Sequence, residues 1–138
     1  MIIRPYAQTD ENQVIALWRA CALVAPQNDP RKDIARKLQV NPAWFLVGEE
    51  EGTIVGSVMV GYEGHRGWIN YLAVEPSRRR LGQGRALMDA AEGILRSVGC
   101  PKINLQVRTA NGPVIAFYEH LGFRADDCVS LGKRLEVD

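Results

Sequence analysis

Ile69 to Leu87 reads I-N-Y-L-A-V-E-P-S-R-R-R-L-G-Q-G-R-A-L. An apolar run that suits a strand breaks at Pro76, passes through Arg78, Arg79 and Arg80 and then Gly82 and Gly84, and continues at once into a helical pattern. A strand feeding a Gly-rich turn that opens a helix builds an anion pocket. The first N–H groups of the helix have no partner inside it, and that end of its dipole is positive. The stretch therefore predicts a phosphorylated ligand. Two familiar cradles do not fit. Gly82-Gln83-Gly84-Arg85-Ala86-Leu87 fails the dinucleotide pattern G-x-G-x-x-G/A at its last position, and G-x-x-x-x-G-K-[ST] occurs nowhere.

Around this stretch the chain predicts one domain over 1–138, since 138 residues suffice for a single core. With 17 Lys+Arg against 16 Asp+Glu, the charge is nearly balanced, so the arginine run is local and nothing global points to nucleic acid or a membrane surface. Three cysteines, Cys21, Cys100 and Cys128, form no metal-type spacing and suit reduced thiols better than a disulfide framework; no metal site is expected. No signal-like run opens the chain, and no apolar stretch approaches about 18 residues. A soluble, cytoplasmic protein is the expectation.

Ile2 to Tyr6 predicts a first strand. Asp10 with Gln13 has the spacing of a capping box, and Val14, Leu17, Trp18 and Cys21 follow as an amphipathic core stripe. Asp29 caps a second helix with Pro30 at its first position; Ile34 and Leu38 face inward, and Arg31, Lys32, Arg36 and Lys37 face water. Trp44 to Val47 and Ile54 to Tyr62 make a hairpin, and the loop Glu63 to Gly67 leads to a central strand, Trp68 to Val74. After the arginine loop, Leu87, Ala91, Ile94, Leu95 and Val98 form a helical stripe that Gly99 stops. Ile103, Leu105 and Val107 alternate with polar residues as a strand, parallel to the central one. Asn111 caps a last helix with Val114, Phe117, Tyr118 and Leu121 inward, and Cys128 to Val137 predicts a closing strand.

V-x-P-x-x-R-x-x-G-x-G, carried by Val74, Pro76, Arg79, Gly82 and Gly84, resembles the acetyl-CoA signature of the GNAT superfamily of N-acetyltransferases. Asn111 to Phe123, N-G-P-V-I-A-F-Y-E-H-L-G-F, is similar to the other GNAT motif through Asn111, Ala116, Phe117, Tyr118, Gly122 and Phe123. The element order matches the family along essentially the whole chain, most closely its small single-domain bacterial members. The resemblance implies an α+β, three-layer α/β/α fold with a mixed, mostly antiparallel central sheet, acetyl-CoA as co-substrate, and an amine acceptor.

Acetyl transfer needs a held acyl donor, a neutral amine, a site for carbonyl charge, and a proton for the departing thiolate. Backbone N–H groups of Arg80, Leu81, Gly82, Gln83, Gly84 and Arg85 would cradle the pyrophosphate, with Arg78, Arg79 and Arg80 toward the 3′-phosphate. By resemblance, the backbone of Leu72, Ala73 and Val74 bonds the pantetheine arm, the Leu72 N–H polarises the thioester carbonyl, and Tyr118 protonates the sulfur. Asn111 and Tyr118 lie two turns apart on one helical face; each also reads as structural, the first as a helix cap and the second as core. Glu63 leads as general base, ahead of His65, Asp29 and Tyr71, and His120 falls on an outer face. The competing function is an acyl-CoA sensor without turnover. The acceptor is open among peptide N-termini, lysines and small amines, and a homodimer is permitted.

Overall fold

The computed structural model describes residues 1–138, which divide into two compact units, Met1–Asn104 with Asp138 and Leu105–Val137. The first unit holds a five-stranded sheet in the order β1 (Ile2–Pro5), β2 (Phe45–Glu50), β3 (Thr53–Tyr62), β4 (Gly67–Val74) and β5 (Ile103–Asn104). Consecutive strands pair antiparallel except β4 and β5, which are parallel. A parallel pair needs a crossover, and α3 (Gln83–Ser97) supplies it. The helices α1 (Glu11–Ala20) and α2 (Pro30–Lys37) come between β1 and β2.

The alternation along β3 separates two faces. Ser57 bonds the indole of Trp18 on α1, whereas a Cβ at the adjacent Gly56 would meet Leu87 on α3 at 2.8 Å. Helices thus cover both faces. On the α1 side Trp18 and Phe45 are fully buried; Tyr6 stacks on Phe45 with centroids 4.5 Å apart, and Trp18 stacks on Tyr71 at 3.8 Å. Such pairs add about 0.5–1.5 kcal/mol each beyond the area they bury. On the other side Leu87, Ala91 and Leu95 bury the stripe of α3, which gives way to a left-handed Gly99.

Several local expectations are corrected. Asp10 makes no side-chain cap for α1. Its carboxylate instead takes a bidentate pair from Arg4 at 2.8 and 2.9 Å and the Ala7 N–H at 2.8 Å. Gln13, freed from capping, accepts the Ile54 N–H at 2.9 Å and so ties α1 to the start of β3. Asp29 does cap α2, accepting from the Arg31 N–H at 2.9 Å. Lys37 does not face water: its Nζ donates to the Val60 carbonyl at 2.5 Å, and burial lowers its pKa. The strand expected to begin at Trp44 begins at Phe45 and runs on to Glu50.

The second unit holds α4 (Gly112–His120), capped by Asn111, whose side chain accepts from the Val114 N–H at 3.4 Å. Tyr118 is its buried residue and meets Phe117 and Phe123 edge-on, with centroids 5.1 and 5.5 Å apart. The strand expected over 103–107 stops at Asn104, and 128–137 forms no strand. Alternation marks a face to bury but a ladder also needs a partner edge, and Val129, Leu131, Leu135 and Val137 stay 82–94% exposed. No helix is long and apolar enough to cross a membrane.

Candidate acyl-donor site

The turn between β4 and α3 has the geometry of an anion cradle. Arg80 and Gly82 are both left-handed, at φ 69° and 79°. The reversal they produce delivers the chain to the first turn of α3, whose earliest internal bond is Ala86 N–H to the Gly82 carbonyl at 3.0 Å. The N–H groups of Gln83, Gly84 and Arg85 come before that bond and have no helical acceptor. Arg79, Arg80 and Arg85 are exposed and form no ion pair, so positive charge at the rim adds to the helix dipole.

The rest of the turn is braced by groups the sequence did not single out. Glu50, at the end of β2, accepts from Arg78 and from the Gln83 amide at 2.5 Å. Glu75 accepts the Ser77 N–H at 2.9 Å. Of the three consecutive arginines, Arg78 is therefore a structural tie, and Arg79 and Arg80 are free. Gln83 is buried, with its amide nitrogen on Glu50 and its amide oxygen unpartnered.

The central strand carries the second feature. Met59 pairs with Asn70 and Ser57 with Ala73, so Tyr71 and Leu72 together oppose the single residue Val58. This is a β-bulge, which leaves one residue out of the ladder and re-aims the local backbone. Tyr71 occupies it at φ 52°, a conformation that costs an L-residue about 1–2 kcal/mol. Its phenol donates to Asp33 at 2.6 Å, its carbonyl accepts from the Ser57 hydroxyl at 2.8 Å, and its ring stacks on Trp18. Burial, reinforced by the Asp33 carboxylate, raises the Tyr71 pKa well above the usual phenol range. Leu72 shares the bulge with Tyr71, and Ala73 and Val74 follow it; these three are the residues whose backbone the sequence reading expects to bond the donor.

Glu63 lies in the exposed β3–β4 loop. One carboxylate oxygen accepts the N–H groups of His65, at 2.6 Å, and Arg66; the other accepts the Trp68 indole at 2.9 Å. These donors, the Arg66 N–H foremost and the Trp68 indole next, hold its pKa below the ordinary value. His65 is exposed beside it, and Asp29 is occupied as the cap of α2. In the second unit, Tyr118 has its pKa pushed up to about 12 by burial, so its phenol stays protonated throughout the physiological range. His120 is exposed at the end of α4.

The profile of the Acetyltransferase (GNAT) family matches residues 12–123, across the cradle, the bulge and α4. The chain belongs to the GNAT family. An acetyltransferase of Yersinia pseudotuberculosis is 51% identical over 138 residues, covering 100% of this chain and 98% of that protein. The structure of Ard1 from Thermoplasma volcanium superposes with a TM-score of 0.75 at 27% identity, over 89% of this chain and 82% of that one. The PaiA N-acetyltransferase from Thermoplasma acidophilum, solved in complex with coenzyme A, gives a TM-score of 0.79 at 19% identity, over 93% and 92% of the two chains, a likeness of fold. This GNAT protein is an acyltransferase, and acetyl-CoA-dependent acetyl transfer is the general chemistry of its family. Membership favours turnover over an acyl-CoA sensor.

Proposed function

We propose that the chain acts as one N-acetyltransferase domain that moves an acetyl group from acetyl-CoA directly to a primary amine within a ternary complex. The observation that carries this reading is the cradle of left-handed Arg80 and Gly82 at the open N-terminus of α3, rimmed by three unpaired arginines and preceded by a bulged strand. A pyrophosphate suits those N–H groups, and PaiA, with the same fold, was solved with coenzyme A.

In this scheme the amine lone pair attacks the thioester carbonyl, and the oxygen's growing charge is met by the Leu72 N–H. Such a donor is worth about 3 kcal/mol in the barrier. The C–S bond then breaks, its electrons leave on sulfur, and Tyr118 donates a hydrogen bond to that sulfur. With Tyr118 at about 12 and a thiol near 8.5, complete proton transfer from phenol to a free thiolate is uphill by about 5 kcal/mol. Tyr118 therefore works best as a neutral donor that keeps its proton and hydrogen-bonds the departing sulfur, which leaves as the thiolate. Glu63 is proposed to receive the amine proton through water. Its three donors make it a weak base, which suits an acceptor that is already substantially neutral, such as an α-amino group (about 7.7–8.0), better than lysine (about 10.4).

Isothermal titration with acetyl-CoA and with free CoA tests the reading. Salt-sensitive binding that weakens in Arg79→Ala supports it. Absence of binding to either ligand overturns it. Release of free CoA in the presence of a panel of amines and peptides then identifies the acceptor.

A further inference from the structure

The bulge position taken by Tyr71 normally belongs to glycine, because its left-handed backbone crowds any Cβ. A large aromatic residue persists there only if its surroundings over-determine the conformation. Three anchors do so. The ring lies on Trp18 at 3.8 Å and 15°, the phenol donates to Asp33 on α2 at 2.6 Å, and the carbonyl accepts from Ser57 at 2.8 Å. Ser57 is fully buried and itself accepts from the Trp18 indole at 2.9 Å, so its hydroxyl has one rotamer that satisfies both partners.

The third anchor has a chemical consequence. In a trans peptide the carbonyl of one residue and the N–H of the next lie in one plane and point in opposite directions. Ser57 pulls the Tyr71 carbonyl toward the α1 side, and so the Leu72 N–H is turned away from that hydroxyl. We infer that Trp18, Ser57 and Asp33 act through Tyr71 as a clamp that aims the Leu72 N–H at the acyl carbonyl, making Tyr71 and Ser57 positioning residues for acetyl transfer. The inference rests on the acetyl-CoA reading above. It also links α2 to the donor site: Asp33 holds the phenol, so movement of α2 changes the tilt of the peptide that meets the thioester.

The test compares wild type with Ser57→Ala, and with Tyr71→Phe, which removes only the Asp33 bond and keeps the ring stack if the first variant fails to fold. Free CoA has no thioester carbonyl, so its affinity stays within about 2-fold in both, while turnover falls by about 10- to 100-fold in Ser57→Ala, part of the effect of losing an oxyanion donor outright. The infrared band of bound acetyl-CoA labelled with 13C at the carbonyl moves back toward its frequency in free acetyl-CoA, a shift that loss of stability alone does not produce. Wild-type turnover and carbonyl frequency in Ser57→Ala overturn the clamp although acetyl-CoA binds. Should wild type bind no acetyl-CoA, the proposed function falls on its own. Without a thioester to meet, the 15N resonance of Leu72 in the free protein judges only whether Ser57 fixes the Tyr71–Leu72 peptide: an unchanged resonance in Ser57→Ala overturns the clamp altogether, and a displaced one leaves a fixed peptide but overturns its role in acetyl transfer.

Discussion

Gly82 is where cradle geometry and backbone energetics meet, and Gly82→Ala separates them. The residue caps α3 at φ 79° and ψ 8°, and a Cβ built there meets no atom within 4 Å. The cost of alanine is therefore confined to the left-handed backbone, about 1–2 kcal/mol, less a few tenths because alanine also restricts the unfolded chain. Gly99, at the other end of the same helix, is a matched control with φ 77° and equally open surroundings. Both variants should lose about 3–8 °C in Tm, from a slope of roughly 3–5 °C per kcal/mol for a domain of this size. Only Gly82→Ala should also weaken acetyl-CoA. The free loop can relax away from the left-handed conformation, and binding must restore it. If the full 1–2 kcal/mol reappears in binding, Kd rises about 5- to 30-fold. Thermal melts and isothermal titration on the two variants provide the comparison. Equal Kd values for Gly82→Ala and Gly99→Ala, alongside equal losses of Tm, would refute the idea that the turn is pre-shaped for the pyrophosphate.

Tyr118→Phe should lower kcat by about 10²- to 10³-fold while leaving the acetyl-CoA Kd near wild type; pre-steady-state CoA release reads the chemical step, and an unchanged rate removes the phenol from it. Asp10, held below its ordinary carboxylate pKa chiefly by the Arg4 bond, contributes stability that is present above the unfolded value of about 3.8 and is lost as pH falls through its folded value. Asp10→Asn should thus destabilise by about 1–3 kcal/mol at neutral pH, with the gap to wild type closing in denaturant melts below the ordinary carboxylate range; a gap that persists in acid would mean packing, not charge. Glu63→Gln should remove an acid limb of kcat/KM lying below the usual value near 4.5. Superimposable pH profiles for the two proteins would leave Glu63 as a loop fastener only.

How far the fold was legible follows from which forces are local. The stripe Val14, Leu17, Trp18 and the Asp29–Pro30 cap are decided within one or two helical turns, and α1 and α2 form where they point. The cradle was legible for the same reason: proline, arginines and glycines set the turn in a dozen consecutive residues, and Gly82 is left-handed as its type allows. The exceptions involve distant partners. Nothing near Asp10 announces that Arg4 will take its carboxylate away from the helix, nothing near Lys37 announces the Val60 carbonyl, and Glu50, 28 and 33 residues from Arg78 and Gln83, can be recognised as their brace only in three dimensions.

The bulge is the sharpest case of what the sequence hides. Ile69 and Ala73 are four apart and would share a face of a regular strand, yet Ile69 pairs with Val60 and Ala73 with Ser57, which lie on opposite faces of β3. Apart from the exposed Asn70, the run I-N-Y-L-A-V carries apolar or aromatic residues on both sides of this phase change, because helices cover both faces of the sheet, and a strand with apolar residues on both faces leaves its register unmarked. A glycine at position 71 would have betrayed the bulge; tyrosine conceals it. The choice has a functional logic. Glycine would adopt the same backbone at no cost but would leave the Tyr71–Leu72 peptide free to turn, whereas tyrosine brings a ring for Trp18 and a phenol for Asp33 and accepts strain in exchange for a fixed direction. The residue least expected from the pattern of the strand is thus the one that sets the orientation of the N–H proposed to meet the thioester.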